Sequence, residues 1–391
     1  MSAGAERPFD FSRLQRSAWL VGAALLAISA VYGVFRPAPF FRAYLIGFRF
    51  WLSFPLGCIA LVMVQHLTGG LWGAVLRPIL EAASRTLPLM ALLFLPLLLG
   101  LTILYPWTDK DHYADDPPML EKIEFYLNVP FFLARAAIYF AAWLVFAFFL
   151  NRWSREQTQH PTPTQARRFR LISGPGLAVY GLTLTLASVD WFMSLEPEWF
   201  SSIYGVIVAV GQLLAAFAFA VLMIALLARR PPLAGVVSPS VLNDLGGLLL
   251  AFTMLWAYVA FSQYLLIWAG NLPEETSWYL RRIDGVWGWV AISLAVFQFF
   301  VPFALLLSKD VKQNPRALAA TAILILVMRF VDAVWSTGPA FADSRWWDQW
   351  LVLAVPLGMG GLMVGTFLWQ LGQRPLVFEY ELKYAEGLAD E

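Results

Sequence analysis

An aspartate inside an apolar stretch, followed four residues later by a serine, occurs twice in this chain: Val189-Asp190 with Ser194, and Val331-Asp332 with Ser336. A carboxylate in hydrocarbon costs roughly 2.5–3.5 kcal/mol on insertion scales, so two of them require partners or a use. Three arginines share these apolar surroundings: Arg49, Arg135 and Arg329. Arg329 stands three positions before Asp332, on the same helical face. Tyr180, Thr183, Asp190 and Ser194 fall at helical spacing on one stripe, and Asn243, Thr253 and Tyr264 on another. His66 precedes Thr68-Gly69-Gly70. Such groups could pass protons: carboxylate and imidazole exchange them, hydroxyls extend the path, and a guanidinium holds a carboxylate ionised. The same charges could instead be ion pairs that pin helices together. At this level both readings stand: structural pairing, or a polar chamber for protons or a quinone headgroup. Stripes of hydroxyls also serve merely to hydrogen-bond neighbouring helices, and His66 could simply face headgroups.

The elements that must position these residues follow from composition. The chain has 391 residues, is 60% hydrophobic, only 14% charged, and has a mean hydropathy of +0.65. A soluble protein would carry about 25% charged residues, so this is a polytopic membrane protein. Apolar runs long enough to cross a core of about 30 Å fall at 18–35, 44–66, 87–105, 129–150, 174–194, 204–228, 242–269, 286–308, 317–336 and 350–372. The reading is therefore an all-α integral membrane protein with ten transmembrane helices, its first span retained rather than cleaved as a signal. The amphipathic stretch 71–86 is expected along the membrane interface. The 160–164 turn, with Arg167, Arg168 and Arg170, is expected at the headgroups, and the tail 373–391 in solvent or against a neighbour. Near-equal basic and acidic counts, 27 against 26, give no pull toward nucleic acid. The sole cysteine, Cys58, excludes an internal disulfide, a Cys-x-x-Cys-His haem site and a cysteine-ligated iron–sulfur cluster in this chain. No catalytic triad, P-loop or zinc spacing appears, so no metal and no catalytic residue is assigned. Trp107, Trp199, Trp278, Trp346, Trp347 and Trp350 are expected in an interfacial belt.

Ten spans put both termini on one side. The segments on that side carry seventeen lysines and arginines, from Arg7, Arg13 and Arg16 onward, against seven on the other. The positive-inside rule then predicts cytoplasmic termini. Arg49, Arg135, Asp190, Arg329 and Asp332 all fall in the outer layer, and His66 at the inner end. Asp190 and Asp332 lie 142 residues apart, a displacement of four spans. An even displacement preserves orientation. It suggests a parallel repeat of two four-helix bundles, 44–194 and 204–336, flanked by the first span and by 350–372.

Several longer strings carry a resemblance: HLTGGLWG at 66–73, LEAASRTLP at 80–88, LYPW at 104–107, and ASVDWFMSLEPEWFSSIY at 187–204. Together they resemble the F subunit of bacterial alternative complex III, a quinol:cytochrome c (electron-acceptor) oxidoreductase. That family is similar to the NrfD/PsrC-type membrane subunits, built from two parallel four-helix bundles. The resemblance implies an integral subunit without redox centres, in the bacterial inner membrane. It implies partners as well: a paralogous NrfD-like C subunit, an iron–sulfur B subunit, multihaem and monohaem cytochrome c subunits, and membrane lipids. It also implies support of menaquinol or ubiquinol oxidation, with a proposed role in proton conduction. Asp190, Asp332 and His66 match family motif positions. On that view the aspartates relay protons and Arg329 holds the adjacent carboxylate ionised or orients a quinone carbonyl. The alternatives are a structural anchor without its own chemistry and, with less support, a secondary transporter.

Overall fold

Why the most apolar segments of this chain are not all turned to lipid is visible in how its helices pack. The computed structural model describes residues 11–159, 164–341 and 348–377. Arg7, the 160–163 turn, Trp346, Trp347 and the tail from 378 lie outside the described residues. The helices, in order, are α1 (Ser12–Phe35), α2 (Pro37–Thr68), α3 (Leu71–Ser84), α4 (Leu87–Leu99), α5 (Leu101–Leu104), α6 (Pro117–Phe125), α7 (Val129–Gln159) and α8 (Thr164–Trp191). Then follow α9 (Tyr204–Leu227), α10 (Pro239–Gly270), α11 (Pro273–Ile283), α12 (Gly285–Ser293), α13 (Val301–Leu307), α14 (Lys309–Gln313), α15 (Pro315–Thr337) and α16 (Leu351–Leu371). No strand occurs among the described residues. Ten candidate spans result, with α3–α4 making one and α12–α13 another. The latter pair is joined by a π-helical segment, Leu294–Phe300. All-helical spanning structure is what a solvent without hydrogen-bonding groups demands.

The hub is α2. Its most apolar window is 89% buried inside the protein, and it packs against α3, α4, α8, α9, α15 and α16. Tyr44 donates to the Leu93 carbonyl at 3.0 Å and Trp51 to the Pro356 carbonyl at 2.7 Å, fixing α2 to α4 and α16. The other well-buried span is α9, 67% buried, which lies against α2, α10 and α15. By contrast α1 is only 17% buried and packs chiefly on α16. Their crossing is made close by small residues. A Cβ on Gly22 would come within 2.7 Å of the Gly358 carbonyl and 2.8 Å of the Leu362 amide. Trp19 donates to Thr366 across the same seam at 3.2 Å. Gly22→Val should therefore push the helices apart and cost about 1–3 kcal/mol, the usual scale of overpacking. Thermal denaturation of the detergent-solubilised chain checks this; an unshifted Tm would mean that the seam yields without strain.

Two sequence expectations are corrected here. The stretch 71–86 does not turn a face to headgroups: every residue of α3 from Gly73 to Ser84 is buried. Its polar stripe serves internal partners rather than headgroups, because Arg77 and Glu81 meet side chains of α7 and the segment after α16. Nor do Trp107, Trp199 and Trp278 form a lipid-facing belt, being at most 5% exposed. Trp199 stacks on Trp278 at 4.9 Å, and Trp278 meets Trp335 edge-on at 5.6 Å. Trp350, at 39% exposed, does suit a boundary position.

Candidate functional site

The five intramembrane charges separate into two clusters with different degrees of saturation. In the first, Asp190 near the end of α8 is fully buried and accepts two hydrogen bonds from Arg135 on α7, at 2.8 and 2.9 Å. Tyr139, one turn along α7, donates to the same carboxylate at 2.8 Å. Arg135 also donates to the Tyr126 carbonyl at 3.0 Å, and its guanidinium lies 3.9 Å from the Tyr126 ring centre and 4.3 Å from that of Phe131. A bidentate pair with a third donor and aromatic faces is a closed unit. It leaves the carboxylate little freedom to take part in proton transfer.

The second cluster is open. Arg329 and Asp332 on α15 approach to 3.1 Å, yet Nε and Nη1 of Arg329 have no hydrogen-bond partner among the described residues. The contact is Coulombic without alignment. Arg49 of α2 donates to the hydroxyls of Tyr204 (3.0 Å) and Thr337 (3.2 Å) and lies 4.6 Å from the Phe192 ring centre. All three charged side chains line one cavity with Phe50, Ser53, Ile207, Val208, Gln212, Ala215 and Ala333. The cavity offers about 20 Å³ to the centre of a water molecule, room for one small species. A substituted quinone ring is several times larger, so these walls as they stand do not fit a quinone headgroup.

Local sequence explains the cluster. On α9, Gly211 supplies the space: a Cβ there would fall 2.2 Å from Nη2 of Arg329. Gln212, 2% exposed, reaches from the cavity wall to accept from Tyr180 of α8 at 3.2 Å. Gly57 lets α2 approach this point, since a Cβ would fall 2.5 Å from the Gln212 carbonyl. Over the cluster, Arg282 of α11 donates to Glu196 at 2.5 Å and to the Ser336 carbonyl at 2.9 Å. Burial pushes the Arg282 guanidinium below its ordinary pKa, Glu196 opposes that shift, and the charge of Arg49 adds to it.

The remaining sequence candidates distribute as follows. Ser194 and Ser336 donate to the carbonyls of Asp190 (2.5 Å) and Asp332 (2.7 Å), so each serine satisfies its own helix rather than continuing a relay. Thr183 accepts from Trp143 of α7 and donates to the Val179 carbonyl. The expected stripe on α8 is thus divided, with Tyr180 facing α9 and Thr183 and Asp190 facing α7. On α10, Thr253 bonds only its own Leu249 carbonyl and Tyr264 is 41% exposed, so no path runs there. His66 lies about 25 Å from Arg49 along α2, seventeen residues at 1.5 Å each. It stacks on Phe169 at 4.3 Å and reaches Ser173 at 3.3 Å.

Sequence reasoning missed Gln212, Tyr139 and Tyr204. A lone glutamine within the apolar run of α9 was the available signal for the first. It also missed Glu81, whose carboxylate takes Arg77 at 2.7 Å, Ser154 at 2.7 Å and Arg374 at 3.0 Å. Among the described residues no three His, Cys, Asp or Glu side chains converge as metal ligands. No protein-family model matches this chain, and no curated protein matches it.

Proposed function

We propose that this chain is an integral-membrane subunit of a respiratory quinol:electron-acceptor oxidoreductase of the alternative complex III type, and that it conducts protons through Asp332. The observation that carries the proton role is the unsaturated Arg329–Asp332 contact beside a water-sized cavity. A carboxylate with free lone pairs and room for one small species can accept and release a proton; one bound by three donors cannot do so without dismantling its site. Of the two matching aspartates, Asp332 is therefore the relay and Asp190 the fastener. The burial of α2 and α9, each the first helix of its four-span set, supports the parallel-bundle reading.

In this reading quinol is oxidised in the paralogous C subunit, and electrons leave through the partner iron–sulfur and cytochrome c subunits. Each quinol releases two protons with its two electrons. The Asp332 end faces the periplasm, as the charge asymmetry of the loops predicts. Arg329 stays paired with the Asp332 side chain, and Tyr180 with Gln212 extends polar contact toward the bundle interior.

The test is Asp332→Asn in the assembled complex, reconstituted into liposomes. Quinol oxidation with a soluble acceptor, and with it the rate of proton release, should fall by about 10²-fold, the usual scale for losing a positioned acid–base group. Normal turnover and normal proton release in a fully assembled variant would leave the anchor reading in its place. That alternative draws on the saturated Asp190 and Glu81 networks, which only fasten helices.

A further inference from the structure

The charges around the cavity do not balance. Arg49 and Arg329 both line it, each 9% exposed, and among the described residues the only carboxylate on its walls is Asp332. Glu196, the partner of Arg282, is already engaged by Arg281 at 3.1 Å and Arg282 at 2.5 Å. Among the described residues Arg49 meets hydroxyls and aromatic faces, not a carboxylate. Among the described residues, two guanidiniums against one carboxylate leave one positive charge without a counter-charge in a low-dielectric interior. Such a charge is costly, and Arg329 still presents Nε without a hydrogen-bond partner and Nη1 with only its ion-pair contact to Asp332. Asp332 cannot neutralise both arginines.

We infer that the cavity between α2, α9 and α15 is a binding site for one small monovalent anion, of halide size, held between Arg49 and Arg329. Size and charge each narrow the ligand. The space admits a species little larger than water, which excludes a quinone ring or a lipid phosphate. A single missing negative charge matches a monovalent ion. Ser53 and Gln212 add polar walls, and Phe50, Ile207 and Val208 add apolar ones. Because the anion and the Asp332 carboxylate share Arg329, they repel, and an anion binds more tightly once that carboxylate is neutral. The site stands on charge balance and geometry, whether or not Asp332 carries protons.

The full-length chain in lipid nanodiscs, prepared in gluconate at constant ionic strength, is titrated with chloride. Line broadening in chloride NMR and the Tm are followed. Wild type should show saturable broadening and a rising Tm with chloride, and neither with sulfate. Arg329→Gln and Arg49→Gln should abolish the saturable component. Asp332→Asn should bind chloride about tenfold more tightly, as expected when a competing charge is removed. Non-saturable broadening in wild type would overturn the site, as would unchanged binding in Arg329→Gln. Displacement of chloride by a short-chain quinone would reassign the cavity to the larger ligand and overturn the halide-sized site. Should the arginine variants fail to fold, Asp332→Asn decides alone: tightening supports the site, and unchanged or weaker binding refutes it. Turnover enters none of these readings, so the anion site and the proton relay fail independently.

Discussion

Asp190→Asn should cost the folded chain about 3–5 kcal/mol, the range seen when one member of a buried ion pair is removed. The carboxylate accepts two bonds from Arg135 and one from Tyr139, and is itself fully buried. An asparagine leaves a single acceptor oxygen and turns the amide donors toward a guanidinium. Arg135, 6% exposed and flanked by Tyr126 and Phe131, is left without its carboxylate partner. The loss should appear as a collapse in the yield and Tm of purified protein. Turnover per assembled complex, in whatever fraction survives, should stay close to wild type. The apolar double replacement Arg135→Met with Asp190→Leu should recover most of the stability, since it removes both charges together. A single variant of wild-type stability would show that the pair is dispensable. A stable variant that lost turnover would return Asp190 to the proton path.

Glu81→Gln should be comparably damaging, at about 3–5 kcal/mol, for a different geometric reason. Glu81 is one carboxylate between two guanidiniums, Arg77 on its own helix and Arg374 just beyond α16. Arg374 is held below its ordinary pKa chiefly by burial, with Glu81 the principal opposing influence and Arg155 and Arg77 adding to the lowering. Without that negative charge the cations repel one another inside the protein. The segment at 372–377 should then detach from α3 and α7. Limited proteolysis beside Arg374 reads this directly: cleavage should accelerate in the variant, whereas an unchanged rate would mean that Arg374 is held by its bond to the Asn151 carbonyl alone.

The ten spans were legible because hydrocarbon thickness and helix rise set a length that hydropathy reports. The five intramembrane charges were legible for the same reason, as exceptions to it. Which charges pair was not. Asp190 and Asp332 occupy matching strings, yet one meets an arginine on a neighbouring helix and the other an arginine on its own. That difference lies in tertiary placement, since Arg135 reaches Asp190 across 55 positions. The serines of the two strings were overvalued, because spacing of four residues puts a hydroxyl within reach of its own helix's carbonyl. The amphipathicity of α3 was real but assigned to the wrong polar medium: its charged stripe faces Ser154, Gln157 and Arg374 rather than lipid headgroups. Periodicity reports that a face is polar and leaves open whether water or protein meets it. The tryptophans were misread similarly, since Trp199 and Trp278 satisfy each other's faces within a roof over the bundle.

The seam between α1 and α16 joins the first and last spans, and Trp19 reaches Thr366 across 347 positions. During synthesis α1 therefore emerges well before α16, its Gly22 groove unfilled until that helix arrives. Among the described residues no other helix packs on α1 as extensively. Closure of that groove reports that α16 has been delivered, and a chain cut short before α16 carries an unmatched small-residue face as a lasting mark of its loss.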